Sequence, residues 1–162
     1  MVSSDQFRQV MGNFATGITV VTTRHESGTP YGLTVNSFTS VSLSPVLVLV
    51  CLENKLSGLQ SFKDSKYFGV SILSEHQEHL SRMFAKRDAE RPPSIYFDGK
   101  LGMPLLKSAL AVLECKVVAV HAAGDHQIFL GEVESAELMQ PDHPLLYFRG
   151  KYRTLHLIND NK

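Results

Sequence analysis

Val46-Leu47-Val48-Leu49-Val50-Cys51-Leu52 is apolar at every one of its seven positions. The run is far below the ~20 residues of a membrane span. Its density of valine reads as a strand. A strand with one solvated face alternates apolar and polar side chains, whereas an uninterrupted apolar run needs cover on both faces. The expected cover is a barrel interior on one side and a partner surface on the other.

Working outward, Ile18 to Thr23 is β-branched and ends at the turn-rich His25-Glu26-Ser27-Gly28-Thr29-Pro30, after which Tyr31 to Ser37 resumes an extended pattern. This predicts a hairpin. Further upstream, Ser3 or Ser4 caps a helix whose Phe7, Val10, Met11 and Phe14 form one apolar stripe, expected to belong to the core. Downstream, Ser57 to Phe62 reads as a short helix and Tyr67 to Leu73 as a strand. Ser74-Glu75-His76-Gln77 has capping-box spacing for a helix running to about Phe84. A polar loop with Arg91-Pro92-Pro93 follows. Leu110 to Val120 and Gln127 to Leu138 are long extended runs joined by Ala122 to His126, and Leu145 to Phe148 is a last short strand. Six or seven strands with only short helices between them argue against a parallel βαβ sheet. The expected fold is mainly β: an antiparallel barrel with peripheral helices, as one domain over residues 1–162.

Sixteen basic and sixteen acidic side chains cancel, which leaves no broad positive field for nucleic acid or an anionic membrane surface. The two cysteines, Cys51 and Cys115, sit in strand-like apolar runs, as thiols of a reducing compartment do. The first residues, Met-Val-Ser-Ser-Asp-Gln, have neither the basic flank nor the apolar core of a signal peptide. A soluble, cytoplasmic protein is expected.

No Gly-x-Gly-x-x-Gly, Walker-type loop, Gly-x-Ser-x-Gly elbow or His-Glu-x-x-His helix occurs. The densest polar segment in apolar surroundings is Thr34 to Ser44, with Thr34, Asn36, Ser37, Thr39, Ser40, Ser42 and Ser44. Its amide and hydroxyls suit a ring carbonyl, a polyol chain or a phosphate. They equally suit a strand end and turn that satisfy their own backbone. Asn54, Lys55 and Ser57 at the exit of the apolar strand, with Arg82 at the end of the next helix, gather donors suited to an anion; each alone also reads as a solvated element end. Gly124-Asp125-His126 places an imidazole at a turn. Cys51 touches a ligand only if its strand faces a pocket, and a buried structural thiol is the default. His76 and His79 have helical i, i+3 spacing but no third ligand in view, so no metal is expected.

Met11-Gly12-Asn13-Phe14-Ala15-Thr16-Gly17-Ile18-Thr19-Val20-Val21-Thr22-Thr23, Gly32 to Leu43, Gly124-Asp125-His126 and Gly131-Glu132-Val133 together resemble the short-chain flavin reductase family. These proteins are the small reductase components of two-component flavin monooxygenases, and the chain is similar in particular to the reductases of phenol hydroxylase and 4-hydroxyphenylacetate monooxygenase. The resemblance spans about Phe7 to Arg153. It implies a Greek-key split β-barrel homodimer in which NADH or NADPH passes a hydride to FAD or FMN, and the reduced flavin leaves for an oxygenase partner. By position, Thr34, Val35, Asn36 and Ser37 would contact the flavin ring and ribityl region. Cys51, Leu52, Asn54, Lys55 and Ser57 would flank its tail, with Arg82 supporting the phosphate. His126, Tyr147, Tyr152 and Arg153 would lie near the nicotinamide nucleotide. No catalytic acid–base pair is implied, because the cofactors carry the hydride chemistry. Two rivals share the scaffold: a flavoprotein that keeps its flavin and reduces a ferric complex, quinone or imine, and a non-enzymatic flavin or haem binding module.

Overall fold

The computed structural model describes residues 1–87 and 89–156. In chain order the elements are α1 (Ser4–Met11), β1 (Thr16–Gly17), β2 (Thr19–Arg24), β3 (Pro30–Val35), β4 (Phe38–Leu43), β5 (Val46–Glu53), α2 (Leu59–Asp64) and β6 (Tyr67–Ile72). A single 3-10 turn then leads into α3 (Glu78–Ala85), followed by β7 (Tyr96–Asp98), β8 (Pro104–Leu106), β9 (Ala111–Ala123), β10 (His126–Leu138), β11 (Leu146–Phe148) and β12 (Lys151–Arg153). No helix among the described residues is long and apolar enough to cross a membrane.

The principal sheet has seven strands in the order β3-β2-β6-β9-β10-β5-β4, every neighbour pair antiparallel. Its two edge strands, β3 and β4, are consecutive in the chain, with only Asn36 and Ser37 between Val35 and Phe38. Laid flat, the edges would stand about 29 Å apart. The three Cα steps that join them reach about 11 Å. The sheet is therefore rolled until its edges meet at the Asn36-Ser37 corner, and Cys51 N–H donates to Ser37 O (3.1 Å) across that corner.

The rolled sheet encloses Val21, Val48, Val50, Phe62, Phe68, Val70, Cys115 and Phe129, all buried. Gly131 on β10 is part of this packing, since a Cβ there would stand 2.5 Å from the Phe68 ring. A second cluster, including Ile18, Leu73, Leu80, Phe84 and Leu145, packs α3 against the outside. That helix starts where the sequence placed it, with a reciprocal capping box between Ser74 and Gln77.

Three expectations change. Among the described residues there are twelve strands rather than six or seven. The β5 run is fully buried only at Val48, Val50 and Leu52, while Leu47, Leu49 and Cys51 are half-buried and Val46 is exposed, so one chain fully covers one face. No residue of α1 is buried, and its Phe7 and Val10 are 59% and 64% exposed. Its amphipathic stripe is thus not part of the core of the described chain; the segment just after the helix is tied down through Gly12 and Asn13 to Arg149.

Candidate functional site

The Asn36-Ser37 corner, the end of β5 and the C-terminal end of α3 surround a cleft of about 330 Å³. Its walls include Val35, Leu52 and Phe84. Gly32 lets the Phe84 ring approach β3 closely, since a Cβ there would meet Phe84 Cε1 at 3.0 Å. Thr34, Val35, Asn36, Ser37, Cys51, Leu52 and His126 all line this cleft, so residues from three strands and the Asn36-Ser37 corner converge there.

The hydroxyls of the polar segment are largely spent on the backbone. Thr34 Oγ1 donates to Ser81 O (2.7 Å) and Ser37 Oγ to Cys51 O (2.8 Å). Ser42 Oγ accepts from Ser44 N–H (3.2 Å). The first two bonds fix the corner's shape, and the third closes the turn between β4 and β5. The exposed Asn36 amide bonds no other described residue and remains available to a ligand. The remainder of the segment is β4, an edge strand with an irregularity between Ser40 and Ser42, and it does not line the cleft.

Burial pushes the Cys51 thiol up from its ordinary range, which keeps it protonated at the cleft wall. His126 Nδ1 pairs with Asp125 Oδ1 at 2.7 Å. That hydrogen bond, then the charge of His126, holds the exposed Asp125 carboxyl below the usual range. Asn54 is occupied structurally: its Nδ2 donates to Gly124 O (3.2 Å) and its Oδ1 accepts from Gln127 Nε2 (2.7 Å), pinning the β9–β10 turn to the exit of β5. Lys55 and Ser57 lie beside the cleft without lining it; Ser57 Oγ is 3.3 Å from the hydroxyl of Tyr31, which does line it.

A smaller hollow of about 180 Å³ shares Thr34, Val35, Asn36 and Ala85 with the cleft and is closed by Ser81, Tyr147 and Tyr152. The two tyrosine rings meet edge to face at 5.6 Å, and Tyr152 Oη bonds the buried Ser81 Oγ at 2.9 Å. Arg82 lies over the Tyr152 ring (4.7 Å) and donates to Glu78 Oε1 (2.7 Å), which places it in a neighbouring recess that shares Tyr147 and Tyr152 with this hollow, away from the main cleft. Arg153 is exposed, outside both, and donates to the neighbouring Tyr152 carbonyl. Glu75, His76 and Asp142 bring ligand-type atoms within 4.8 Å of one another near the start of α3; His79 does not join them.

Residues 11–156 match the family of the flavin reductase like domain. The chain belongs to the flavin reductase-like family. An NADH-dependent flavin reductase from a Rhodococcus species is 41% identical over 154 residues, covering 93% of this chain and 86% of its own. The reductase component of 4-nitrophenol 4-monooxygenase/4-nitrocatechol 2-monooxygenase from Rhodococcus opacus is 38% identical over 147 residues, covering 91% and 78%. Among solved structures, the NADH:FAD oxidoreductase SgcE6 of Streptomyces globisporus C-1027, in complex with NAD and FAD fragments, superposes with a TM-score of 0.88 at 37% identity, over 100% of this chain and 99% of that one.

In this flavin reductase-like chain the sequence reading missed the cleft's cations. Lys86, Arg87 and Arg91 line it, against the single carboxylate of Glu53, so a chain with no net charge presents a local positive excess. Arg91 is fixed by stacking over Phe84 (5.1 Å) and by donating to Lys86 O (3.0 Å). In the sequence these residues leave only the basic pair Lys86-Arg87 after the apolar turn of α3 and Arg91 in the polar loop before Pro92-Pro93, neither of which points to a ligand.

Proposed function

We propose that this protein is a flavin reductase that oxidises NADH or NADPH, reduces FAD or FMN, and releases the reduced flavin to a flavin-dependent monooxygenase. The observation that carries this reading is the combination, in one cleft, of apolar walls, an unspent amide at Asn36 and three cations. A flavin needs all three: room for a flat ring system, directed groups for its ring edge, and positive charge for its phosphate. The volume lies within the ~300–1,000 Å³ range of ligand sites.

The bound flavin supplies the ring that accepts a hydride from the nicotinamide. The chain's part is placement. Val35, Leu52 and Phe84 exclude water from the ring's surroundings, and Asn36 offers a donor and an acceptor to its edge. Thr34 and Ser37, locked to Ser81 and Cys51, hold the corner rigid, which is how oriented groups gain effective concentration. Lys86, Arg87 and Arg91 hold the phosphate end, with Lys55 and Ser57 at the opposite rim. Tyr147 and Tyr152 line the adjoining space for the nicotinamide nucleotide, Arg82 attracts its phosphates, and His126 rims the cleft where the two ligands approach. The exposed rim of Asn36, Lys86 and Arg87 suits a flavin that comes and goes.

The rolled sheet is read as a split barrel, and the whole chain as one domain working as a homodimer. On the adjacent strands β5 and β10, Leu47, Leu49, Ile128 and Leu130 are half-buried, Leu49 directly opposite Leu130, and Leu43 on β4 is 91% exposed. A second copy covers this surface. Both cysteines are free, which suits the cytoplasm.

Anaerobic mixing of NADH, free flavin and a small amount of protein tests the activity. The flavin absorbance should bleach over many turnovers. Bleaching no faster than without protein would reject the proposal.

A further inference from the structure

The cleft and the smaller hollow are built on different sheets. The Asn36-Ser37 corner joins the edges of the seven-stranded sheet, whereas Tyr147 and Tyr152 face each other across β11 and β12 in the separate sheet β1-β11-β12. One residue of α3 bonds both. Ser81 O accepts from Thr34 Oγ1 on β3 (2.7 Å), and Ser81 Oγ shares a hydrogen bond with Tyr152 Oη on β12 (2.9 Å). Ser81 is 0% exposed and is buried on α3 together with Leu80 and Phe84. Alanine is the better helix former, and a buried hydroxyl left unpaired is costly. A serine at this position is therefore explained by the bond that it makes to Tyr152.

We infer that Ser81 is a positioning residue for hydride transfer: its carbonyl holds the flavin corner through Thr34, its hydroxyl holds the nicotinamide wall through Tyr152, and together they set the spacing of the two rings. This rests on the flavin reading of the cleft and of the tyrosine hollow beside it. In the transfer a C–H bond of the reduced nicotinamide breaks, and its hydrogen moves with both electrons to a ring nitrogen of the flavin; the nicotinamide is oxidised and the flavin reduced by two electrons. Such a step needs the reacting atoms about 3–3.5 Å apart. Thr34, Val35 and Asn36 wall both spaces, so the two ligands meet at this boundary. Their spacing there depends on how firmly the two sheets are tied. Tyr152 also touches Tyr147 and Arg82, but Tyr147 belongs to the same small sheet and Arg82 is exposed, so Ser81 supplies a buried tie to the flavin side.

Ser81→Ala removes the hydroxyl and leaves the carbonyl to which Thr34 donates. Tyr152→Phe keeps the ring and removes the other end of the same bond, and the double variant completes a cycle. Three quantities are measured on each folded variant: flavin affinity by fluorescence, reduction of bound flavin by NADH in a single anaerobic turnover, and the long-wavelength charge-transfer absorbance when NAD+ is added to protein carrying reduced flavin. The last reports stacking of the rings without turnover. The wild type should show the band. Each single variant should keep the wild-type flavin affinity, lose most of the band and slow the reduction about tenfold or more, since a 1 Å misplacement can cost on the order of a hundredfold. The double variant should be no worse than either single one. A wild-type band and rate in Ser81→Ala would overturn the assignment, as would additive losses or the absence of the band from the wild type. So would a Ser81→Ala protein whose flavin affinity falls as far as its rate, which is what loosened packing of α3 would give. A wild type that binds no flavin, or whose bound flavin NADH does not reduce, would instead overturn the flavin reading itself.

Discussion

Gly58→Ala should damage the protein through Tyr31 and nothing else of comparable size. Gly58 has ordinary backbone angles (φ −92°, ψ 8°), so alanine meets no backbone strain there. Its Cβ, however, would lie 2.2 to 2.6 Å from three atoms of the Tyr31 ring. The ring must retreat by about 1 Å to reach ordinary van der Waals distance. It is held edge-on by Phe62 at 6.1 Å and by His25 at 5.2 Å, so retreat weakens two aromatic pairs and opens the cleft wall that Tyr31 forms. Overpacking of this kind costs about 1–3 kcal/mol. For a chain of this length each kcal/mol lowers Tm by roughly 2–4 °C, so a fall of roughly 2–12 °C is expected, with weaker flavin binding. Melting curves of Gly58→Ala, Tyr31→Ala and the double variant form a cycle. Once the ring is gone, Gly58→Ala should cost only the ~0.5 kcal/mol of a poorer helix cap. Strict additivity of the two substitutions would refute the reasoning.

Asn36→Leu should weaken flavin binding about three- to tenfold, the worth of an ordinary hydrogen bond; unchanged titrations would remove Asn36 from the site. His126→Ala should raise KM for NADH more than KM for flavin, and Arg82→Ala should do the same through the Tyr147–Tyr152 hollow, which steady-state kinetics with each substrate varied will show. Alkaline stability should depend on Cys115, whose thiol is pushed from its ordinary 9.0 up to about 12 by burial and secondarily by the charge of Glu114. The folded state holds that proton more tightly than the unfolded chain. The resulting stability is therefore complete below pH 9.0 and is lost as pH rises toward about 12, by about 1.4 kcal/mol per pH unit at the steepest. Denaturant melts of Cys115→Ala should show a shallower decline above pH 9.0 than the wild type, and parallel declines would contradict the burial argument.

What the sequence showed was what repeats along it. The β2–β3 hairpin, the β5 run, the long β9–β10 pair and the Ser74 capping box all carry a local period or a fixed spacing. β4 carries neither: an edge strand needs no apolar face, and Thr39, Ser40, Val41 and Leu43 are exposed, so its hydroxyl-rich sequence reads as a turn. β1 and β12 are two and three residues long, too short for any pattern, and exist because they pair with β11, the short strand that the sequence did show over Leu145 to Phe148. The α1 stripe has the right period for burial, but period reports that a face seeks cover and not which molecule supplies it. In the site, Thr34 to Ser37, Cys51, Leu52 and His126 come to one cleft from a contiguous corner and two paired strands. Lys86, Arg87 and Arg91 arrive there only because α3 packs against β3, a tertiary fact with no imprint on spacing. Asn54 shows the converse. Its type suits a ligand, yet the hairpin turn uses both ends of its amide.

The central claim is that flavin is a substrate passing through this cleft. The most direct measurement is steady-state NADH oxidation by extensively desalted protein as free FAD and FMN are each titrated. The account predicts a colourless protein with almost no activity alone, and a rate that rises hyperbolically with added flavin. Full activity in a yellow protein that ignores added flavin, or no NADH oxidation at any flavin concentration, would contradict it.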